Sequence, residues 1–144
     1  MKILLDTSVL VAAMVEAHPA HERALPWLQK IKAKTDVGFV AAHSIAELYA
    51  ILSILPVQPR ISSVSANQLI QQNVLDICSI VSLSVQDYAR IIKHLSESNI
   101  VGGVTYDAVI LYTAFKFEID RIVTLNKNDF FRIYPDIADK IVLP

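Results

Sequence analysis

The sequence has little cysteine, glycine or tryptophan: its 144 residues include one cysteine, three glycines and one tryptophan. A single cysteine excludes an internal disulfide, and no cysteine and histidine cluster has the spacing of a zinc site. We expect Cys78 to be a small buried hydrophobic residue. The cysteine usage fits a reducing compartment, so we expect a cytoplasmic location.

The sequence also lacks a strong net charge and a long apolar run. The net charge is −1, so a nucleic-acid partner would have to be held by local features and not by a global field. No apolar run approaches the roughly 18 residues that a membrane span needs. Asp6 interrupts the N-terminal apolar stretch, which argues against a signal peptide. We expect one complete soluble domain over residues 1–144, with no membrane partner.

What the sequence does have is 53% hydrophobic residues against 19% charged ones, arranged as short apolar runs that alternate with amphipathic stretches. This alternation is typical of an α/β fold with a largely parallel sheet between helix layers. The predicted strands are residues 2–5, 37–42, 77–83, 120–125 and 140–144. The predicted helices are residues 6–15, 18–34, 43–55, 65–76, 84–98 and 104–117.

The sequence also predicts one helix cap, one apolar helix face and one loop. The helix over residues 43–55 is expected to be capped near Ser44. The helix over residues 84–98 is expected to present Val85, Tyr88, Ile91, Ile92 and Leu95 on one face. Residues 126–135 are expected to form a loop with at most one helical turn.

Three carboxylates stand alone in apolar surroundings: Asp6 in KILLDTSVLVAAMV, Glu47 in AAHSIAELYAILSIL and Asp107 in VTYDAVILYTAF. Asp6 directly follows a strand, and Glu47 lies early in the helix after the next strand. Asp107 lies in the first turn of a helix that leads into the strand near Arg121. In a parallel sheet these three positions meet at the carboxyl edge of the strands, where α/β proteins form their sites.

The strand near Arg121 ends at NKND, which brings Asn126 and Asp129 to the same edge. Several like charges in one place raise one another's pKa unless a cation neutralises them. A set of oxygen ligands without cysteine or clustered histidine is typical of a hard ion such as Mg²⁺ or Mn²⁺. Each acid also has a structural interpretation, as a helix cap, an ion-pair partner or, for Asp129, an Asx turn.

Four segments in register resemble the PIN-domain nucleases, and most closely the VapC-type toxins of bacterial and archaeal toxin–antitoxin pairs. They are LLDTSVLV, AELYAIL, GGVTYDAVI and IVTLNKNDF, and HERALPWL also resembles the helix after the first acid in that family. The resemblance implies a three-layer α/β/α sandwich with about five parallel strands. It also implies an Mg²⁺- or Mn²⁺-dependent endoribonuclease, an RNA substrate, a small antitoxin that occludes the acidic pocket, and a homodimer.

Carried over by position, Asp6, Glu47 and Asp107 match the first three acids of the family, and Asp129 is the best match to the fourth. Asp6 and Asp107 would be the principal metal ligands, and Glu47 would coordinate the ion or hold a water molecule on it. Many members have an acid where this chain has Asn126. Either Asp129 completes the set, with Asn126 ordering water or a second ion, or three carboxylates act with an amide helper.

The hydroxyls of Thr7 and Ser8 would contact the metal shell or a phosphate, or would only cap the helix. A catalytically inactive PIN-like module that binds RNA or protein remains the alternative function. An aspartyl-phosphate phosphatase would need an Asp-x-Asp pair, and this chain has Ser8 at the second acid's position.

Overall fold

The computed structural model, which describes residues 1–144, contains a five-stranded sheet in the order β3-β2-β1-β4-β5. The strands are β1 Lys2–Leu5, β2 Val37–Ala41, β3 Ser79–Val81, β4 Arg121–Val123 and β5 Ile141–Val142. All four neighbouring pairs are parallel. Every strand therefore ends at the same edge of the sheet, with β1 at its centre.

Seven α-helices connect the strands: α1 Thr7–Met14, α2 His21–Lys32, α3 Ala42–Leu52, α4 Ser63–Ile70, α5 Val85–Glu97, α6 Val104–Lys116 and α7 Lys127–Ile133. A π-helical segment, Gln71–Leu75, continues α4, and a 3₁₀ helix, Pro135–Lys140, precedes β5. No helix has both the length and the apolar content that are needed to cross a membrane.

Two hydrophobic cores lie on opposite faces of the sheet. Ile3 and Leu5 of β1 belong to the core that also contains residues of α1 to α4. Leu4 belongs to the core that contains residues of α5, α6 and α7. Successive residues of a strand point to opposite faces, so this division confirms the predicted α/β/α sandwich with a parallel five-stranded sheet.

The predicted cap of the third helix at Ser44 is wrong. The chain passes directly from β2 into α3, with extended Ala41 at the N-cap, so Ser44 is already the third residue of the helix. Its side chain is fully buried, and its hydroxyl has no hydrogen-bond partner. The helix begins earlier because Ala41 and Ala42 offer no side chain that competes with the helical backbone.

The segment after β4 is more helical than predicted. Instead of a loop with one turn, Lys127–Ile133 forms the seven-residue α7. Phe130 and Ile133, spaced three apart, are both buried against the α6 side of the molecule. Their burial stabilises this helix. The segment by itself is too short and too polar for its sequence to predict a helix.

The apolar face of α5 is narrower than predicted. Ile91 and Leu95 are buried, but Val85 is 81% exposed and Ile92 is 60% exposed. A second contact orients the helix: Asp87 forms a capping box with Ser84 and accepts a hydrogen bond from Lys116 of α6. The Lys116 ammonium and the Ser84 hydrogen bonds hold the pKa of Asp87 below its usual value.

Gly38 of β2 allows a close approach between the sheet and α2. A Cβ at this position would lie 2.7 Å from Cδ1 of Ile31 and 3.0 Å from Sγ of Cys78. We expect Gly38→Ala to lower the free energy of unfolding by about 1–3 kcal/mol, because the added methyl overpacks the core. Urea unfolding measures the effect.

Gly103→Ala is the matched control, since a Cβ there meets nothing within 4 Å and the φ of −63° suits alanine. Its stability should be unchanged or slightly higher. Equal losses in the two variants would contradict the proposed packing at Gly38.

Candidate active site

Asp6 ends the central strand and is buried, yet three donors satisfy its carboxylate. The Thr7 backbone N–H donates to Oδ1 at 2.8 Å, and the Ser8 hydroxyl donates to Oδ2 at 2.8 Å. The Thr124 hydroxyl donates to Oδ2 at 2.9 Å. Asp6 is also the N-cap of α1, so its charge lies at the positive end of the helix dipole. These contacts offset the cost of burying a carboxylate.

Thr124 is a residue that the sequence analysis missed. It is fully buried, follows β4 directly, and accepts a hydrogen bond from the Asn126 backbone N–H at 3.0 Å in addition to donating to Asp6. The register pairs Leu5 with Val123, so Thr124 lies level with Asp6 on the neighbouring strand. The sequence feature that could have identified Thr124 is a polar residue directly after an apolar strand that pairs with β1.

The other three predicted acids come from three different elements. Glu47 lies in the second turn of α3, Asp107 lies in the first turn of α6, and Asp129 lies in the first turn of α7. Each helix begins at the carboxyl edge of the sheet, as the parallel topology requires. The expectation that these residues share one edge with Asp6 agrees with this placement.

The electrostatics of Asp107 indicate that the other three carboxylates lie near it. Half-burial of Asp107 and the negative charges of Asp6, Asp129 and Glu47 together raise its pKa to about 7, from a usual value of 3.8. Burial is the largest cause, and the three neighbouring charges follow. A carboxyl group shifted in this way by its neighbours is typical of a functional site.

In this structure no group of three or more His, Cys, Asp or Glu side chains is arranged closely enough to hold an ion. Coordination of one ion by several of these acids would therefore need side-chain rotation. The donor set nevertheless fits a hard divalent cation, because it consists of carboxylate oxygens whose mutual repulsion a cation would relieve.

The segment after Thr124 contributes polar groups beside Asp129. Asn126 is the N-cap of α7, and no side-chain capping bond fixes its amide. Leu125, Asn126, Lys127 and Asp129 are among the residues that line an open cavity of about 400 Å³. Lys127 lies over the Phe131 ring at 5.0 Å and lines the same cavity as Asp129.

The two hydroxyl residues after Asp6 differ in their contacts. The Ser8 hydroxyl is bonded on both sides, because it donates to Asp6 and accepts from the Leu125 backbone N–H at 3.2 Å. Thr7 is buried and contacts Asp6 through its backbone N–H. Their predicted contact with a metal shell or a phosphate stays a prediction.

His43, at the start of α3, also lies near the acids. Burial lowers its pKa, while the charges of Glu47 and Asp6 act in the opposite direction. Its ring is 6.4 Å from the ring of Tyr106, the residue before Asp107. The His43 and Tyr106 rings therefore form an aromatic pair beside the carboxylates.

Comparison with known proteins gives one family. The PIN domain model matches residues 3–135. Ribonuclease VapC40 from Mycobacterium tuberculosis is 32% identical over 109 residues, which cover 76% of this chain and 75% of that protein.

Solved structures share the fold. VapBC2 from Rickettsia felis, solved bound to a DNA fragment from its promoter, aligns over 100% of this chain and 98% of its own with a TM-score of 0.66 and 20% identity. VapC20 from Mycobacterium tuberculosis, described as a Sarcin-Ricin loop cleaving toxin, aligns over 83% of this chain and 86% of its own. Its TM-score is 0.64 at 15% identity.

The Thr124 contact to Asp6 can be tested with an isosteric change. We expect Thr124→Val to lower the free energy of unfolding by about 1–3 kcal/mol, because it removes a donor from the buried Asp6 carboxylate and the acceptor of the Asn126 backbone N–H. Thr113→Val is the matched control, since the buried Thr113 hydroxyl donates only to Val109 within its own helix. If thermal unfolding shows that the two variants lose equal stability, the proposed contribution of the Thr124 contact to Asp6 is contradicted.

The raised pKa of Asp107 predicts a pH-dependent stability. Between about pH 4 and about pH 7 the folded chain holds a proton on Asp107 that the unfolded chain has lost, so stability falls as pH rises through this range. We expect Asp107→Asn to remove this contribution to the fall in stability. The free energy of unfolding of both proteins is measured against pH by urea unfolding in the presence of EDTA. Parallel stability curves for the two proteins would contradict the raised pKa.

Proposed function

Because this chain is a VapC-type member of the PIN-domain family, we propose that it is a divalent-metal-dependent endoribonuclease and the toxin of a type II toxin–antitoxin pair. The observation that carries the proposal is the meeting of four carboxylates, from four separate elements, at the carboxyl edge of the sheet. A purely structural role for these acids does not explain why they lie near one another and none of them forms a salt bridge with a cation.

In this proposal Asp6 and Asp107 are the principal ligands of Mg²⁺ or Mn²⁺. Glu47 coordinates the ion or orients a water molecule, and Asp129 with Asn126 completes the site. When bound, the ion would supply positive charge to the phosphate and lower the pKa of an attacking water. Asp107 would lose its proton on binding, because a divalent cation at this position favours the charged carboxylate.

The remaining residues would position the acids. Ser8 and Thr124 hold the rotamer of the Asp6 side chain, and partners of this kind orient metal ligands in other sites. Lys127 would contact a phosphate of the RNA, since it is the cation that flanks Asn126 and lies in the first turn of α7 beside Asp129.

The proposed partners follow from the relatives. VapC40 is named a ribonuclease and VapC20 is described as a Sarcin-Ricin loop cleaving toxin, which supports RNA as the substrate here. The name VapBC2 joins a VapB to a VapC, which supports a small antitoxin as the protein partner. We further propose a homodimer and occlusion of the acidic edge by the antitoxin.

Metal-dependent cleavage tests the proposal. The protein is incubated with single-stranded and with structured RNA in Mg²⁺, in Mn²⁺ and in EDTA, and products are resolved on a gel. We expect cleavage only with metal, and a loss of at least about 100-fold in Asp6→Asn, because even an indirect partner of a metal ligand is worth about 10–100-fold. Asp139→Asn, an identical change at an exposed acid outside the site, is the control.

Three outcomes would contradict the proposal. Cleavage that persists in EDTA, or that Asp6→Asn leaves unchanged, would contradict the metal-dependent mechanism. Binding of Mn²⁺ with no cleavage of any RNA tested would instead support the inactive RNA- or protein-binding module.

A further inference from the structure

A second cavity, here called the side pocket, adjoins the carboxylates between α3, α5 and α6. It measures about 410 Å³, and its lining includes His43, Tyr88, Ile92, Gly102, Gly103 and Tyr106. None of its lining residues is an aspartate, glutamate, lysine or arginine. The side pocket therefore suits a neutral, partly apolar group and not a second phosphate.

The side pocket lies beside the acidic edge. Tyr106 directly precedes Asp107 on α6, and His43 lies one helical turn before Glu47 on α3. The His43 and Tyr106 rings approach to 6.4 Å between centroids, and His43 is close enough to Glu47 and Asp6 for their charges to act on it. Two of the three helices that line the side pocket, α3 and α6, therefore also carry two of the four acids.

The aromatic side chains of the side pocket are exposed. Tyr106 is 64% exposed and Tyr88 is 41% exposed, although both rings could bury apolar area in a core. Nucleobases stack on such rings without a need for charge, and each stacked base contributes a large part of the binding of single-stranded nucleic acid. The phosphate of the same nucleotide would lie toward the acids and their metal.

The glycine pair provides the open floor of the side pocket. Gly102 has a φ of +81°, which only glycine adopts easily. Gly103 has a φ of −63° and a ψ of −21°, which any residue adopts, so its backbone does not require glycine. No atom lies within 4 Å of a Cβ built at either residue. The missing side chain at Gly103 leaves room for a flat ring to approach.

From these observations we propose that the side pocket binds one unpaired nucleobase of the RNA next to the cleaved phosphodiester, with Tyr106 as the stacking platform. The proposal rests on the ribonuclease function above and adds a source of sequence preference to it. A base held here would fix which phosphate reaches the acids.

The test uses two probes on the full chain. Adenosine has a base but no phosphate, so its effect on the Tyr88 ring resonances in NMR, which every variant retains, reports on the side pocket without metal or cleavage. A short oligoadenylate with Mn²⁺ gives KM and kcat. Tyr106→Ala should weaken adenosine binding about fivefold or more and raise KM at least as much, since it removes one stacking contact. Tyr106→Phe should keep both values near those of the wild type.

Phe115→Ala is the matched control, because Phe115 is an aromatic residue on the same helix, is 70% exposed and does not line the side pocket. Gly103→Leu is a second variant, which places a side chain into the side pocket and leaves Tyr106 unchanged. It should also weaken adenosine binding. Circular dichroism melting checks that each variant is folded.

The outcomes separate the side pocket from the nuclease activity. If adenosine shifts the Tyr88 resonances and Tyr106→Ala abolishes this shift, the side pocket binds bases even where no RNA is cleaved. If RNA is cleaved but Tyr106→Ala and Phe115→Ala behave alike on both probes, the proposal is overturned and the nuclease stands. If Tyr106→Ala only weakens self-association in sedimentation, the face is a contact between two copies, which also overturns it.

Discussion

The burial of the Asp6 charge at the carboxyl end of the central strand is the constraint on which the rest of the site depends. A carboxylate in this position is tolerated because Thr7, Ser8 and Thr124 all donate to it, and the last of these comes from a neighbouring strand. The packing of β1 against β4 therefore sets the geometry of Asp6. Glu47, Asp107 and Asp129 then add negative charge around a group that cannot move away.

This arrangement links stability to function. Like charges that face one another destabilise the folded chain, and proteins keep such strain where a ligand relieves it. A divalent ion would be the relieving ligand here, because oxygen donors and repulsion favour a hard cation. The same repulsion adds to the effect of burial on the pKa of Asp107 and underlies the proposed metal dependence.

Much of the fold could be predicted from the sequence, because it follows from local patterns. Short apolar runs alternate with amphipathic stretches, and parallel connectivity then sends the residues after each strand to one edge. Asp6, Glu47 and Asp107 could be selected because each is a lone acid among apolar residues. Their roles as ligands remain predictions, and the choice between Asn126 and Asp129 does too.

The features that escaped prediction depend on contacts between distant residues. Thr124 matters only through its register with Asp6, and α7 forms because Phe130 and Ile133 find a core to enter. Val85 and Ile92 continue the helical apolar spacing of α5 but stay exposed, because the face of α6 covers only Ile91 and Leu95. Such outcomes need the positions of neighbouring elements, which local periodicity does not contain.

The central claim is that the four acids gather to hold a divalent ion. Anomalous scattering from crystals soaked in Mn²⁺ tests it most directly. The account predicts a manganese peak in contact with Asp6 and Asp107, with Glu47 or Asp129 beside it. A protein saturated with Mn²⁺ that shows no peak at this edge, or a peak only elsewhere, would contradict it.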